Sequence, residues 1–156
     1  MIGPGALILA DTSVVLAYLS GAELASPVAA IIFDDFIASA RNTAILSAMT
    51  VTETLVRPFQ VGRSEVAMVE AFLGHFPGLR VIDVGYDIAR EAARLRAVSA
   101  GRGARPRLAV PDAIIVATAI QEEVGVLVTN DTRWRSYLSD LAPDLPVAYL
   151  EDYAAA

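Results

Sequence analysis

The sequence predicts an α/β fold of three layers, with helices on both faces of a central, mostly parallel sheet of about five short strands. Short apolar segments alternate with helical segments along the chain, which is the pattern of strands that pair in parallel. The 156 residues fit one domain, and no repeat or linker divides residues 1–156. The 55% hydrophobic content can supply a sizeable core and argues against disorder.

The predicted strands are short and largely apolar. Each is bounded by turn residues or by residues that start a helix, as expected for strands buried on both faces of a sheet. In chain order the strands are residues 6–10, 43–46, 79–84, 125–130 and 146–150.

Caps and hydrophobic periodicity define the predicted helices. Ser26-Pro27 places an N-cap before a proline at the first helical position. Pro58 is expected to end a brief helix that starts near Thr50, because the residue before a proline disfavours helical backbone. Residues 111–123 are apolar on nearly every side, which predicts a buried helix. The remaining predicted helices are residues 12–19, 26–40, 64–76, 86–100 and 132–140.

The composition excludes several kinds of chemistry. Without cysteine the chain has no disulfides, no thiolate catalysis and no Cys-based zinc site, and it suits a reducing compartment. All 12 basic residues are arginine, so lysine chemistry is absent, and the net charge of −6 disfavours general nucleic-acid binding. No basic segment precedes the first apolar run, and Asp11 interrupts that run. We therefore expect a cytoplasmic protein without a signal peptide or membrane span.

Four carboxylates are predicted to lie along one edge of the sheet. Asp11, Glu53 and Asp131 follow the first, second and fourth strands, and Asp112 opens the helix that leads into the fourth strand. Both kinds of helix begin at the carboxyl edge of a parallel sheet, where such folds bind ligands. Each acid taken alone also fits a helix cap or a first-turn position, and Thr50 with Glu53 has the spacing of a capping box.

Carboxylates gathered at one edge repel each other unless a cation neutralises them. Two carboxylates about 5 Å apart cost roughly 3 kcal/mol at an effective dielectric constant of about 20. An oxygen-only ligand set favours a hard cation such as Mg²⁺ or Mn²⁺. Such an ion can activate a water and stabilise the leaving oxygen when a phosphodiester is cleaved. In this interpretation Asp11 is tolerated at the end of a core strand because a metal neutralises it.

Four segments together resemble the acidic motifs of PIN-domain nucleases: ILADTSVVLAYL, LSAMTVTETL, VPDAIIVATA and LVTNDTRW. Their order and the chain length most resemble the VapC-type toxins of bacterial toxin–antitoxin pairs. The resemblance runs from residue 7 to about residue 150. It implies an α/β/α fold, metal-dependent cleavage of single-stranded RNA, frequent homodimers and a small antitoxin that inhibits the nuclease.

The resemblance also assigns the site residues. The catalytic acidic positions fall on Asp11, Glu53, Asp112 and Asp131. Of these, Asp11, Asp112 and Asp131 are the expected ligands of Mg²⁺ (or Mn²⁺). Thr129 matches a position at which the family often has a hydroxyl that helps to order the site.

Other polar residues near the motifs have alternative explanations. Six arginines fall between residues 90 and 107, and those on the predicted helix fit a solvated face. The loop arginines that lead toward the third motif are candidate contacts to RNA phosphates, and they are Arg102, Arg105 and Arg107. Thr12 and Ser13 fit helix capping. Trp134 fits a packed aromatic better than a residue that stacks on a base.

Two other functions stay open. One is a catalytically inactive PIN-like module that binds RNA or protein, although retention of four acids argues against it. The other is a HAD-type phosphatase, which also begins with a strand and an aspartate. Its motif has a second aspartate where this chain has Ser13, and it needs a lysine that is absent here. The sequence therefore favours a metal-dependent endoribonuclease, the toxin of a type II toxin–antitoxin pair.

Overall fold

The computed structural model of the chain describes residues 2–21, 25–101 and 107–154. Its strands are β1 (Leu7–Ala10), β2 (Thr43–Ser47), β3 (Leu79–Ile82), β4 (Val126–Thr129) and β5 (Val147–Tyr149). They form one sheet in the order β3-β2-β1-β4-β5, and every neighbouring pair is parallel. The prediction of a parallel sheet of about five short strands is confirmed.

Helices connect the strands in the described part of the chain. The α-helices are α1 (Thr12–Ser20), α2 (Ser26–Ala30), α3 (Ala48–Val61), α4 (Arg63–His75), α5 (Tyr86–Ala100), α6 (Val110–Gln121), α7 (Arg135–Leu141) and α8 (Glu151–Ala154). A π-helical segment, Ile31–Ile37, continues α2, and a 3₁₀ turn, Thr132–Trp134, precedes α7. No helix in the described residues is both long and apolar enough to cross a membrane.

The core divides into two clusters, one on each face of the sheet. Successive residues of β1 alternate between them, since side chains of a strand point to opposite faces. Ile8 and Ala10 pack with residues of α1, α2 and α4, whereas Leu9 packs with residues of α5, α6 and α7. This arrangement gives the three layers that the sequence predicts.

The strand order places a crevice beside β1. The chain passes from β1 to β2 and β3 on one side, and β4 and β5 lie on the other side. Ligands of open parallel sheets bind outside the carboxyl ends of the strands at such a reversal. The backbone N–H of Asp11 donates to the carbonyl of Val128 at 2.9 Å, which holds the ends of β1 and β4 together. The two acids that follow β1 and β4 therefore lie at the reversal.

The helix predicted near Thr50 differs from α3 at both ends. Helix α3 begins at Ala48, because the hydroxyl of Ser47 accepts the backbone N–H of Met49 at 3.3 Å and caps the helix. Thr50 is a buried residue inside the helix, so the predicted capping box is wrong. Pro58 also lies inside the helix, which continues to Val61. Proline removes one backbone donor, but Pro58 is buried and α3 continues past it.

The helix predicted over residues 26–40 is shorter and changes its winding. Regular α-helix ends at Ala30, and the segment Ile31–Ile37 has π-helical hydrogen bonds. No proline or glycine lies in that segment to mark the change in the sequence. The apolar periodicity was therefore sufficient to predict a helix, but not its type.

Candidate active site

Asp11 directly follows β1, and its carboxylate accepts three hydrogen bonds. Its Oδ1 accepts the backbone N–H of Thr12 at 2.7 Å, which makes it the N-cap of α1. Its Oδ2 accepts the hydroxyls of Ser13 at 2.6 Å and Thr129 at 2.8 Å. Only 4% of Asp11 is exposed. The structure thus fixes this carboxylate in one orientation and removes it almost entirely from water.

Burial has the largest effect on the pKa of the Asp11 carboxyl. Loss of solvent raises the pKa of its carboxyl, while the hydrogen bonds from Ser13, Thr129 and Thr12 act in the opposite direction. The net pKa is above the ordinary value, so the ionised form is disfavoured without further positive charge. A cation beside this oxygen pair would stabilise the carboxylate.

The same two hydroxyls connect Asp11 to the loop after β4. The Thr129 hydroxyl accepts the backbone N–H of Asp131 at 3.0 Å, and the Ser13 hydroxyl accepts that of Asn130 at 2.9 Å. The capping role predicted for Ser13 is wrong, because Asp11 caps α1 and the Ser13 hydroxyl instead joins Asp11 to this loop. Its position two residues after the acid was the available signal, because that spacing returns the side chain to the carboxylate.

Glu53 lies on α3, where its carboxylate is held by α1. The hydroxyl of Thr12 donates to Oε2 of Glu53 at 2.6 Å and lies 3.2 Å from the hydroxyl of Thr50. Asp11, not Thr12, caps α1, so the capping role predicted for the Thr12 hydroxyl is wrong. Thr12 and Thr50 are both buried, and this contact fixes the position of α3 beside the end of β1.

Asp112 shows that the acids lie close together. It occupies the first turn of α6, and its pKa is raised to about 6. Burial contributes most, followed by the negative charges of Asp11, Asp131 and Glu53, while Arg133 acts in the opposite direction. The structure therefore brings the four sequence-predicted acids into electrostatic contact. Within the described ranges, however, no three acidic or histidine side chains are already close enough to form a metal-binding cluster.

Asp131 has a basic partner, Arg133, which the other three acids lack among the residues that the structure describes. It caps the 3₁₀ turn by accepting the backbone N–H of Arg133 at 3.0 Å. The guanidinium of Arg133 also donates to both carboxylate oxygens, with the shortest contact 2.5 Å from Nη2 to Oδ2. These hydrogen bonds hold the pKa of Asp131 below its ordinary value. Asp131 therefore stays ionised more readily than Asp11 or Asp112.

The sequence profile of the PIN domain family matches residues 8–137, a span that contains all four acids. The chain belongs to the PIN-domain family. A comparison with curated proteins gives no match. The resemblance drawn from the four acidic motifs is thus confirmed at the level of the family.

Several solved structures share the fold of this PIN domain. VapBC2 from Rickettsia felis, bound to a promoter DNA fragment, is 18% identical, with 92% of this chain and 98% of that chain covered and a TM-score of 0.66. FitAcB from Neisseria gonorrhoeae is 23% identical, with 92% and 98% covered and a TM-score of 0.67. VapC20 from Mycobacterium tuberculosis, a sarcin-ricin loop cleaving toxin, is 17% identical, with 83% and 95% covered and a TM-score of 0.63.

Two neighbours of the acids in this PIN domain were missed in the sequence. Tyr137 on α7 is buried, and burial together with the charges of Asp112 and Asp131 raises its pKa to about 12. Its phenol therefore stays protonated beside the acids. Arg133 lies within the fourth motif two residues after Asp131, the same spacing as Ser13 after Asp11, and that spacing was the available signal.

The remaining sequence candidates are three arginines and Trp134. Arg102 and Arg105 lie outside the residues that the structure describes. Arg107 is exposed, and its backbone N–H donates to the hydroxyl of Ser99 at 3.2 Å. Trp134 is only 1% exposed and packs in the cluster formed with α5, α6 and α7. It is therefore a core residue and is not available to stack on a base.

Proposed function

We propose that this PIN domain is a metal-dependent endoribonuclease that hydrolyses RNA phosphodiester bonds, and that it is the toxin of a type II toxin–antitoxin pair of the VapC kind. The observation that carries the proposal is that burial and then the negative charges of Asp11, Asp131 and Glu53 together raise the pKa of Asp112 to about 6. Helix capping explains one acid at a time but gives no reason for four elements to place acids together.

The donor set fits a hard divalent cation. The side chains around the site offer carboxylate and hydroxyl oxygens, which Mg²⁺ and Mn²⁺ prefer. Asp11 and Asp112 would hold the ion directly. Asp131 would act directly or through a water, and its carboxylate is already paired with the positive charge of Arg133. Bound there, the ion supplies a water of lowered pKa and charge stabilisation for the phosphoryl oxygens.

The residues of the chain orient the reaction. Asp11 cannot rotate without breaking the bonds to Ser13 and Thr129, so its oxygens are pre-positioned. Glu53 has one oxygen bound to Thr12, and its second oxygen is available to hold the attacking water and accept a proton from it. The acids therefore have different roles. Asp11 and Asp112 bind the ion, Glu53 orients the water, and Asp131 completes the outer edge of the acidic site.

The partners follow from the same proposal. The substrate is RNA, and a cognate antitoxin inhibits the nuclease in the cytoplasm. Several of the solved structures that share the fold are toxin–antitoxin complexes, among them one from Klebsiella pneumoniae. A homodimer and a contact between RNA and the loop arginines belong to this proposal as well. Those arginines are Arg102, Arg105 and Arg107.

Removal of divalent metal is expected to abolish cleavage of single-stranded RNA by the purified protein. EDTA should stop the reaction, and an excess of Mn²⁺ or Mg²⁺ should restore it, because the acids alone cannot generate the nucleophile. The measurement is the initial rate of cleavage of an end-labelled oligonucleotide. Asp112→Asn protein, purified in parallel, controls for contaminating ribonuclease. Equal rates with and without EDTA would contradict the proposal, and no cleavage with either ion would favour the inactive binding module.

A further inference from the structure

Arg133 is a basic side chain in direct contact with the acidic site. Its Nε lies 2.8 Å from Oδ1 and 3.1 Å from Oδ2 of Asp131, and its Nη2 lies 2.5 Å from Oδ2. Its backbone N–H donates to Oδ1 as well. The guanidinium and the carboxylate therefore face each other edge to edge. Although 81% of the Arg133 side chain is exposed, its position is fixed relative to the site.

Much of the hydrogen-bonding capacity of Arg133 is left over. A guanidinium carries five N–H groups in one plane. The contacts to Asp131 use Nε and one edge of Nη2, and within the described residues Nη1 has no hydrogen-bond partner. The unused N–H groups lie on the side of the guanidinium away from Asp131. The structure thus presents an oriented set of donors at the rim of the acids.

Arg135 provides a contrast two residues further along. Its guanidinium lies 3.9 Å from the centroid of the Tyr149 ring, and its Nη2 pairs with Glu151 at 3.2 Å and Asp152 at 2.5 Å. These contacts engage Arg135 between α7 and α8. The two arginines carry the same charge in the same region, but only Arg133 contacts an acid of the site.

An RNA strand must overcome repulsion to reach this site. Each linkage carries a negative charge, and the four acids around the cleavage point are negative too. A guanidinium that is already oriented loses little entropy when it binds a phosphate, and its planar donors match two phosphate oxygens. The free N–H groups of Arg133 are already oriented by Asp131 and lie in one plane, so they suit a phosphate in both respects.

We propose that Arg133 binds a phosphate of the RNA substrate at the rim of the site, and that Asp131 orients it for this contact. The inference rests on the proposed ribonuclease function and adds a substrate-binding residue to it. Because the contact is to the backbone, it holds the strand in place without reading a base. Asp131 then acts as a positioning residue for Arg133 in addition to completing the acidic site.

The test measures binding of a fluorescently labelled single-stranded RNA in EDTA, so that no cleavage occurs, over a series of KCl concentrations. Arg133→Gln is expected to weaken binding about tenfold and to reduce the slope of log affinity against log salt by about 0.7, the value for one lost phosphate contact on a single strand. Arg135→Gln removes the same charge and should stay within about twofold of wild type. Arg133→Lys keeps the charge but not the planar donors, and its affinity should lie between wild type and Arg133→Gln.

Steady-state kinetics with Mn²⁺ gives the second readout. Arg133→Gln is expected to raise KM with little change in kcat, since the lost contact holds the strand in both the bound and the transition state. Equal affinity and salt slope for Arg133→Gln and Arg135→Gln, or a fall in kcat at unchanged KM, would overturn the assignment of Arg133. If wild type cleaves RNA in that case, the proposed function stands without it. If wild type neither binds nor cleaves RNA, the proposed function fails and this inference fails with it.

Discussion

Asp112→Asn is expected to reduce RNA cleavage about a thousand-fold, the size of effect produced when one pre-positioned electrostatic group is removed. The amide keeps the shape of the side chain but cannot supply the anionic oxygen that the proposed ion needs. Asp11→Asn should cause a similar loss. Initial rates with Mn²⁺ measure both effects, and Asp144→Asn, an exposed aspartate before β5, is the control. Undiminished cleavage by both active-site variants would refute their assignment.

The stability of Asp112→Asn separates this loss of activity from unfolding. The folded-state pKa of Asp112 is about 6, above the ordinary value of 3.8, so the folded chain binds more protons between these pH values. The free energy of unfolding therefore falls as pH rises through this window and stays lower at neutral pH. Removing the charge should raise the free energy of unfolding by about 1 kcal/mol at neutral pH in EDTA, after allowance for solvent screening. Urea denaturation should show this gain at neutral pH and not below about pH 4.

A gain in stability together with a loss of activity cannot come from misfolding. It is the pattern expected where a protein tolerates repulsion among acids for the sake of catalysis. Asp144→Asn should leave the free energy of unfolding unchanged under the same conditions. A clear decrease for Asp112→Asn at neutral pH would show that the acids are not in repulsive contact.

Thr129→Val is expected to cost about 2 kcal/mol of folding free energy and to reduce cleavage roughly 10–100-fold. Valine has the shape of threonine but lacks the hydroxyl that donates to Asp11 at 2.8 Å and accepts the N–H of Asp131 at 3.0 Å. The change leaves a buried carboxylate with one donor fewer and a backbone N–H without its acceptor. Urea denaturation and initial cleavage rates measure the two effects.

Thr129→Ser keeps the hydroxyl and is the matched control. It should retain most of the activity and most of the stability, because both hydrogen bonds can still form. If Thr129→Val behaves like Thr129→Ser in both assays, the hydroxyl does not order the site and the role assigned to Thr129 is wrong.

Local pattern was enough to predict the fold because the three central strands, β1, β2 and β4, are buried on both faces. Apolar runs such as residues 6–10 leave little choice but a parallel sheet covered by helices. Local pattern misplaced the start of α3, where Ser47 and Thr50 are both good caps and only the end of β2 decides between them. It also misjudged Pro58, which is buried inside α3 and does not end the helix.

The acids of the site could be placed from topology, whereas the groups that hold them could not. Following the strands was sufficient to put Asp11 and Asp112 at one edge of the sheet. The hydrogen bond between Thr12 and Glu53 joins residues 41 positions apart, and that between Asp11 and Thr129 joins residues 118 apart. Such contacts depend on how α1, α3 and β4 pack, which no local spacing records. The resemblance to the family had named Thr129 without showing which oxygen it contacts.

The location of bound Mn²⁺ shows whether the four acids hold a divalent cation. Crystals soaked in Mn²⁺ can be measured by anomalous diffraction, which identifies the ion by its own scattering. We expect a peak about 2.1 Å from carboxylate oxygens of Asp11 and Asp112, the distance typical of small hard cations. The absence of a peak there, at a Mn²⁺ concentration that supports RNA cleavage in solution, would contradict the claim.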